Sequence, residues 1–432
     1  MFLKKIIDSI ADAGKELLNR TFSSKRNVDT LLELADDLIS YKGIASGIAI
    51  AREISEIYKE LSKEDKKKFF LAIDQKLKPN MELVEKKSIE FVKDKNKETL
   101  KALAALAEGR RQEFIRRMNM APNGTAFLVS MREDLLEFLL ELPALQDLDE
   151  DFRHLFRSWF NPGFLKLEKI TWETKAAILE RIMKYEKVHK IRDMDDLKRR
   201  LQEDRRFFAY FHPVLHDEPL IFVQVAFTQG LATSIQDIIK PNTNNKVKAD
   251  TATFYSISNC QHGLMNVTLG NFLIKRVVYE IQQENSSIKH FGTLSPLPGF
   301  VDWFNYSSEQ NLLAILGSEH FSKIKFLHNQ DVKVGDSRIV ENKEIIKKLV
   351  IHYLIKEKIN KRPINAVTRF HLGNGASIQD VTVNANISDY GYKESFGVMV
   401  NYVYHLDKLE KIHEDYISYN KISYSDKIKK YV

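Results

Sequence analysis

One cysteine, Cys260, stands in 432 residues. A lone cysteine excludes any disulfide within the chain and any metal site built from several thiolates. Long apolar runs are also missing. Nothing approaches the ~18–20 consecutive apolar residues of a membrane-crossing helix, so no membrane association is expected. Walker loops, GxGxxG dinucleotide fingerprints, HExxH zinc pairs and GxSxG elbows are all absent. So are internal repeats and low-complexity tracts. The opening segment, MFLKKIIDSIADAGKELLNR, is amphipathic and carries Asp8, Asp12 and Glu16. A secretory signal needs an uninterrupted apolar core, and organellar transit peptides avoid acidic residues. The tail, KIKKYV, carries no peroxisomal tripeptide. A cytoplasmic protein is therefore expected.

What is present is ordinary for a soluble globular protein, with 44% hydrophobic and 29% charged residues. The net charge of +7 suits nucleic acid, an anionic membrane face or a polyanionic small molecule. The basic residues are scattered, and short runs such as Lys66-Lys67-Lys68 and Lys198-Arg199-Arg200 read as solvated helix faces. No basic stripe with interleaved aromatics exists, so no nucleic-acid partner is expected.

Residues 1–158 read as helix throughout. TLLELADDLISY (30–41) puts Leu31, Leu34 and Leu38 on one face, with Leu32 widening it. IASGIAIAREISEIYKEL (44–61) does the same with Ile50, Ile54, Ile57 and Leu61. Ser62 opens the next helix in capping-box style, with Asp65 in the usual glutamate position. TLKALAALAEGRRQEFIRRM (99–118) reads as one further helix, and SMREDLLEFLLELPALQDL (130–148) as a helix broken by Pro143. No cluster in this part looks like chemistry, and its leftover apolar surface suits an oligomer interface. WFNPG (159–163) punctuates the chain. Beyond it, strands are expected at 205–213, 218–228, 252–259, 289–296, 366–372, 376–385 and 396–406. FLKLEKITW (164–172) alternates in part, and helices are expected at 173–187 and 269–285. Strands alternating with helices imply a mixed α/β sheet. The fold class is thus α+β, with an all-α helical bundle over 1–158 and a mixed α/β domain over 159–432.

Three stretches could carry chemistry. ATFYSISNCQHGLMNVTLGNFLIKRVV (252–278) runs from strand through a polar loop with Gly263 and Gly270 into a helix near Leu269. Exposed amides at a helix start form an anion site, and phosphate is the usual occupant. Lys275 and Arg276 would favour such an anion. An ordinary strand-to-helix turn fits the same residues. In TLSPLPGF (293–300), Ser295 ends a strand. Pro296 biases it toward extended backbone, and Pro296 and Pro298 restrict two more φ angles. That stiffening suits an aimed hydroxyl, but the stretch alone favours a turn on which nothing depends. In RFHLGNGA (369–376), His371 has the side chain whose ordinary pKa lies nearest neutral, the default proton donor or acceptor. A buried histidine satisfied by a backbone group is the alternative. His212 and His216 in HPVLH are four apart, but Pro213 and the neighbouring strand pattern argue for a loop rather than a metal-binding helix.

Taken together, several long motifs stand in a specific order. FLVSMREDLLEF (127–138) and WFNPGFLKLEKITW (159–172) precede FYSISNCQHGLMNVTLGNFLIKRVV (254–278), TLSPLPGF (293–300), FHLGNGA (370–376) and GVMVNYVY (397–404). On these the chain resembles the malonyl-CoA decarboxylase family over most of its length. The stretch 305–345 is the weak part and looks like a shortened insertion. The resemblance implies a helical domain used in oligomer assembly, followed by a catalytic domain of GNAT acetyltransferase-like fold. It implies cleavage of malonyl-CoA to acetyl-CoA and CO2 through a thioester enolate, with no metal, biotin or other cofactor. Its catalytic pair maps onto Ser295 and His371. Its acyl-CoA loop maps onto Met265, Asn266, Val267, Thr268, Leu269, Gly270 and Asn271, and Tyr404, close to Asn401, lines the acyl pocket.

Two departures stand out. Asn266 replaces a common glycine, and asparagine tolerates left-handed backbone, so the turn is expected to survive. Thr268 replaces a common glutamate, which withholds that carboxylate from the catalytic histidine. In the implied mechanism His371 protonates the α-carbon, and Ser295 hydrogen-bonds the departing carboxylate or relays to His371. An acyltransferase of the same fold and a non-catalytic CoA-binding scaffold are the alternatives; a pure binder would need neither Ser295 nor His371.

Overall fold

The computed structural model describes residues 2–17, 26–40, 43–240, 248–267, 273–328 and 332–432. By their internal contacts these fall into two units. The first holds residues 1–166 together with 211–218 and 261–269, and the second holds 167–210, 219–260 and 270–432. The first unit therefore runs past the expected 158/159 boundary to 166 and draws in two short segments from further along the chain.

The first unit is helical, for the reasons its periodicity gives. Leu31, Leu34 and Leu38 are buried along the helix Val28–Ser40, and Ile50, Ile54 and Ile57 along Ile44–Glu60. Tyr58 meets Phe69, Phe70 and Phe127 edge-on, and its hydroxyl donates to Asp134 at 2.9 Å. The Ser62 cap forms as expected: its Oγ accepts from the Asp65 amide at 3.1 Å and donates to the Asp65 carboxylate at 2.8 Å. The break near Pro143 is also seen, as a short turn Pro143–Leu145 between the helices Gly124–Phe138 and Gln146–Trp159.

One expectation changes. The stretch 99–118 is not one helix but two, Lys97–Ala107 and Arg110–Met118, parted at Gly109 with φ +73°. That conformation costs glycine little and other residues much, so the chain turns there instead of continuing.

The second unit is built on a mixed sheet. Its strands are β1 (Lys166–Lys169), β2 (Arg205–Phe211), β3 (Pro219–Thr228), β4 (Thr251–Asn259), β5 (His290–Thr293) and β6 (Ser295–Pro296), with β9 (Ser377–Thr382) and β10 (Met399–Val403) later. Between them, β7 (Lys358–Ile359) and β8 (Arg362–Pro363) form a separate ribbon. The main order is β1-β2-β3-β4-β5-β10-β6, with β9 also paired to β10. β3 and β4 are antiparallel, while β4 and β5 are parallel. A parallel pair needs a crossover, and the helix Leu273–Glu284 supplies it. β10 runs antiparallel to both β5 and β6, pairing Val403 with Gly292 and Val400 with Ser295. The expected strand 289–296 is thus two short strands either side of Leu294.

A second correction concerns 366–372, expected as a strand. It is the helix Ala366–Gly373. The alternation of branched and aromatic residues suggested a strand, but propensity of that kind yields to context. Asn365 decides the matter as N-cap: its Oδ1 accepts from the Thr368 amide at 2.9 Å and from the Thr368 hydroxyl at 3.0 Å.

Candidate active site

Ser295 and His371 lie 76 residues apart in sequence and meet through a hydrogen bond, Oγ to Nε2, of 2.9 Å. Each is fixed by a different kind of element. Ser295 is held in β6 by its pairing with Val400 of β10. The turn that follows is tied down at the Pro298 carbonyl, which accepts from Asn365 Nδ2 at 2.9 Å and from the Tyr353 hydroxyl at 3.3 Å. Gly299 then takes φ +76° to start the next helix.

His371 sits in the last turn of the helix Ala366–Gly373. Side chains three apart share a helix face, and side chains two apart share a strand face. Thr368 and His371 therefore meet Tyr402 and Tyr404 as two successive contacts. The Thr368 and Tyr402 hydroxyls are 2.8 Å apart, and His371 Nδ1 lies 2.8 Å from the Tyr404 hydroxyl. The His371 ring also stacks on Tyr402, with centroids 4.4 Å apart. On the other side, the Ser295 hydroxyl donates to Thr293 Oγ1 at 2.8 Å, and Thr293 Oγ1 accepts the Tyr402 amide at 3.1 Å. The result is one line of groups: Tyr404, His371, Ser295, Thr293.

The line is buried, with Ser295 5% and His371 3% exposed. Burial disfavours charge. It lowers the His371 pKa to about 3 and raises that of Tyr404 well above the ordinary phenol value. At neutral pH the imidazole is therefore neutral and the phenol keeps its proton. A neutral imidazole has one N–H and one acceptor nitrogen. With the Ser295 proton directed to Thr293, the consistent arrangement has Nε2–H donating to Ser295 and Tyr404 O–H donating to Nδ1.

Of the residues the sequence singled out, Ser295, His371 and Tyr404 are brought together. Tyr404 contacts the histidine directly rather than only lining a pocket. Met265, Asn266 and Val267 belong to the segment grouped with the first unit. Asn266 has φ +60°, the left-handed conformation that a glycine would take there freely. Thr268, Leu269, Gly270 and Asn271 lie outside the described residues. Lys275 forms an ion pair with Glu410 at 2.5 Å. His212 Nδ1 accepts the Val214 amide at 3.3 Å and its ring packs on Phe160, while His216 is exposed.

Sequence reasoning missed Thr293, Asn365 and Tyr402, and named Asn401 only as a neighbour of Tyr404. Thr293 was findable, because it lies two before Ser295 and so on the same strand face. Asn365 was findable as an N-cap once the segment was taken as helix. Asn401 donates from Nδ2 to the Thr293 and Ala232 carbonyls at 2.8 and 2.9 Å, a contact no local pattern announces.

Comparison with known proteins gives a consistent result. The malonyl-CoA decarboxylase C-terminal domain model matches residues 163–432, and the N-terminal domain model matches 77–160. The mitochondrial malonyl-CoA decarboxylase of the goose Anser anser anser is 34% identical over 335 residues, 72% of this chain and 66% of the goose protein. Among solved structures, the malonyl-CoA decarboxylase of Rhodopseudomonas palustris is 39% identical with a TM-score of 0.88, covering 94% of this chain and 99% of its own. That of Agrobacterium vitis is 38% identical with a TM-score of 0.81, covering 93% and 99%. The C-terminal model alone spans more than half the sequence, and the chain belongs to the malonyl-CoA decarboxylase family.

Proposed function

We propose that this chain converts malonyl-CoA to acetyl-CoA and CO2, with Ser295 and His371 as its catalytic pair and no cofactor. The observation that carries this reading is the buried hydrogen bond between Ser295 and His371, backed by Tyr404 on one side and Thr293 on the other.

The chemistry follows from what decarboxylation requires. Breaking the bond to the carboxylate leaves an electron pair on the α-carbon, which the thioester carbonyl delocalises as an enolate. One proton is consumed for each CO2 released. Because His371 Nε2–H is bonded to Ser295, the relay replaces the direct protonation by His371 expected from the sequence: the Ser295 hydroxyl supplies that proton to the α-carbon, His371 Nε2–H refills Ser295, and solvent refills His371 before the next turnover. Neutral donors suffice because a thioester enolate carbon is a stronger base than an alkoxide or an imidazolate. A positioned proton donor of this kind contributes roughly 10²–10⁴ in rate. Tyr404 and Tyr402 fix the imidazole so that Nε2 faces Ser295. Residues 265–271 receive the acyl-CoA, and Tyr404 borders the acyl group.

Incubation with malonyl-CoA and no acceptor tests the reaction. Equal amounts of acetyl-CoA and CO2 are expected. Unchanged malonyl-CoA, with turnover only when an amine is added, would mark an acyltransferase instead.

Assembly into a homo-oligomer through the helical region is part of the proposal. Its support is the helix pair Met81–Lys93 and Lys97–Ala107, which buries no residue in the single chain and exposes Met81, Ile89, Val92 and Leu100. Cytosolic residence is proposed as well. Fractionation of source cells decides it, and the goose and mouse relatives, both named mitochondrial, define the opposite outcome.

A further inference from the structure

After β4 the chain makes one short turn, His262–Leu264, and then passes through Met265, Asn266 and Val267. Two contacts hold this segment to the helix Gly124–Phe138 of the same unit. First, Gly263 lies flat against the helix, where an added Cβ would come within 1.9 Å of the Val129 carbonyl oxygen. Second, Arg132, one turn along, reaches the same backbone. Its Nη1 donates to the Gly263 carbonyl at 2.6 Å and to the Met265 carbonyl at 2.9 Å, while its Nε donates to Asp149 at 2.8 Å. Arg132 is 0% and Asp149 4% exposed.

Stability alone accounts poorly for this arrangement. Removing two charges from water costs about as much as their attraction returns. Arg132 Nη2 is moreover buried without a hydrogen-bond partner among the described residues. What the guanidinium does fix is backbone orientation. A trans peptide is planar, with C=O and N–H on opposite edges. Holding the Met265 carbonyl toward Arg132 therefore turns the Asn266 N–H away from it. That amide has no acceptor among the described residues, and Asn266 is exposed.

We propose that Arg132, oriented by Asp149, is a positioning residue for malonyl-CoA: it sets the 265–266 peptide plane so that the loop presents the Asn266 N–H to the ligand, the Leu264, Met265 and Val267 amides being taken up within the turn. The proposal rests on the reading of 265–271 as the acyl-CoA segment.

Steady-state kinetics on the full chain test it. Arg132→Met is expected to raise KM for malonyl-CoA about 10–100-fold while kcat changes less than about threefold, with acetyl-CoA affinity falling in parallel. Millimolar guanidinium added to Arg132→Ala is expected to bring KM back down. A folded Arg132→Met protein with a lower melting temperature but unchanged KM overturns the proposal, since that is a structural role alone. Should Arg132→Met not fold, Asp149→Asn keeps the guanidinium but removes the charge that orients it. It is expected to raise KM about 3–10-fold, and an unchanged KM is again contrary.

Asn266→Val separates the proposal from the reading beneath it. A β-branched residue at φ +60° strains the loop without touching Arg132. A raised KM there, with a normal KM in Arg132→Met, leaves the loop as the binding segment and removes Arg132 from it. Normal KM in both removes the loop reading and the proposal together.

Discussion

His371 faces two opposed influences. The C-terminal end of a helix favours a positive charge by ~0.3–1 kcal/mol, and up to ~2 when partly buried. Burial acts the other way and wins, since a pKa lowered from 6.5 to about 3 corresponds to several times ~1.4 kcal/mol. The direction has a measurable consequence. The unfolded chain binds the proton near pH ~6.5 while the folded chain resists it until about 3. Stability from this residue is thus complete above pH ~6.5 and is lost as pH falls toward 3. The His371→Asn variant is expected to show a shallower loss of stability through this window, by on the order of 1.4 kcal/mol per pH unit. Chemical denaturation at several pH values measures this, and parallel wild-type and variant curves would contradict it.

Between elements, the site is a joint between one helix and one strand, secured by Asn365. This residue caps the helix that carries His371 and donates to the Pro298 carbonyl of the turn that follows Ser295. Asn365→Ala removes both links. A lost cap costs about 1 kcal/mol, and the turn loses its tie to the helix. The expected result is a modest fall in melting temperature with a kcat reduced roughly 10-fold, part of the ~10²–10⁴ owed to a positioned donor. A lowered melting temperature with unchanged kcat would show that the tie is structural only. The same joint explains what the sequence disclosed. Ser295 could be read from a strand end and two prolines, because both signals are local. The helical state of 366–373 could not be read from alternation, because its cap and the tyrosines it packs on lie outside the pattern. Tyr404 was assigned by resemblance to a pocket wall, and its bond to His371 required knowing that strand β10 faces that helix.

Across the whole chain, the division into a helical first part and a mixed-sheet second part was legible, because hydrophobic period changes from helical to strand-like near WFNPG. The assignment of 211–218 and 261–269 to the first unit was not, since no periodicity marks a loop that packs against a distant helix. The helix pair with no buried residue bears on assembly. Val92 is 66% and Leu100 52% exposed, and covering such side chains stabilises an interface by roughly 1.5–3 kcal/mol each. The double variant Val92→Glu/Leu100→Glu is expected to lower the solution mass measured by light scattering. A mass equal to that of the wild type would exclude this face from the interface.

The central claim is that Ser295, bonded to His371, runs the decarboxylation. Turnover of malonyl-CoA by Ser295→Ala, measured beside its affinity for acetyl-CoA, tests this most directly. The account predicts a turnover lowered by roughly 10²–10⁴ with affinity changed less than about threefold. Turnover near that of the wild type in the folded variant would contradict it.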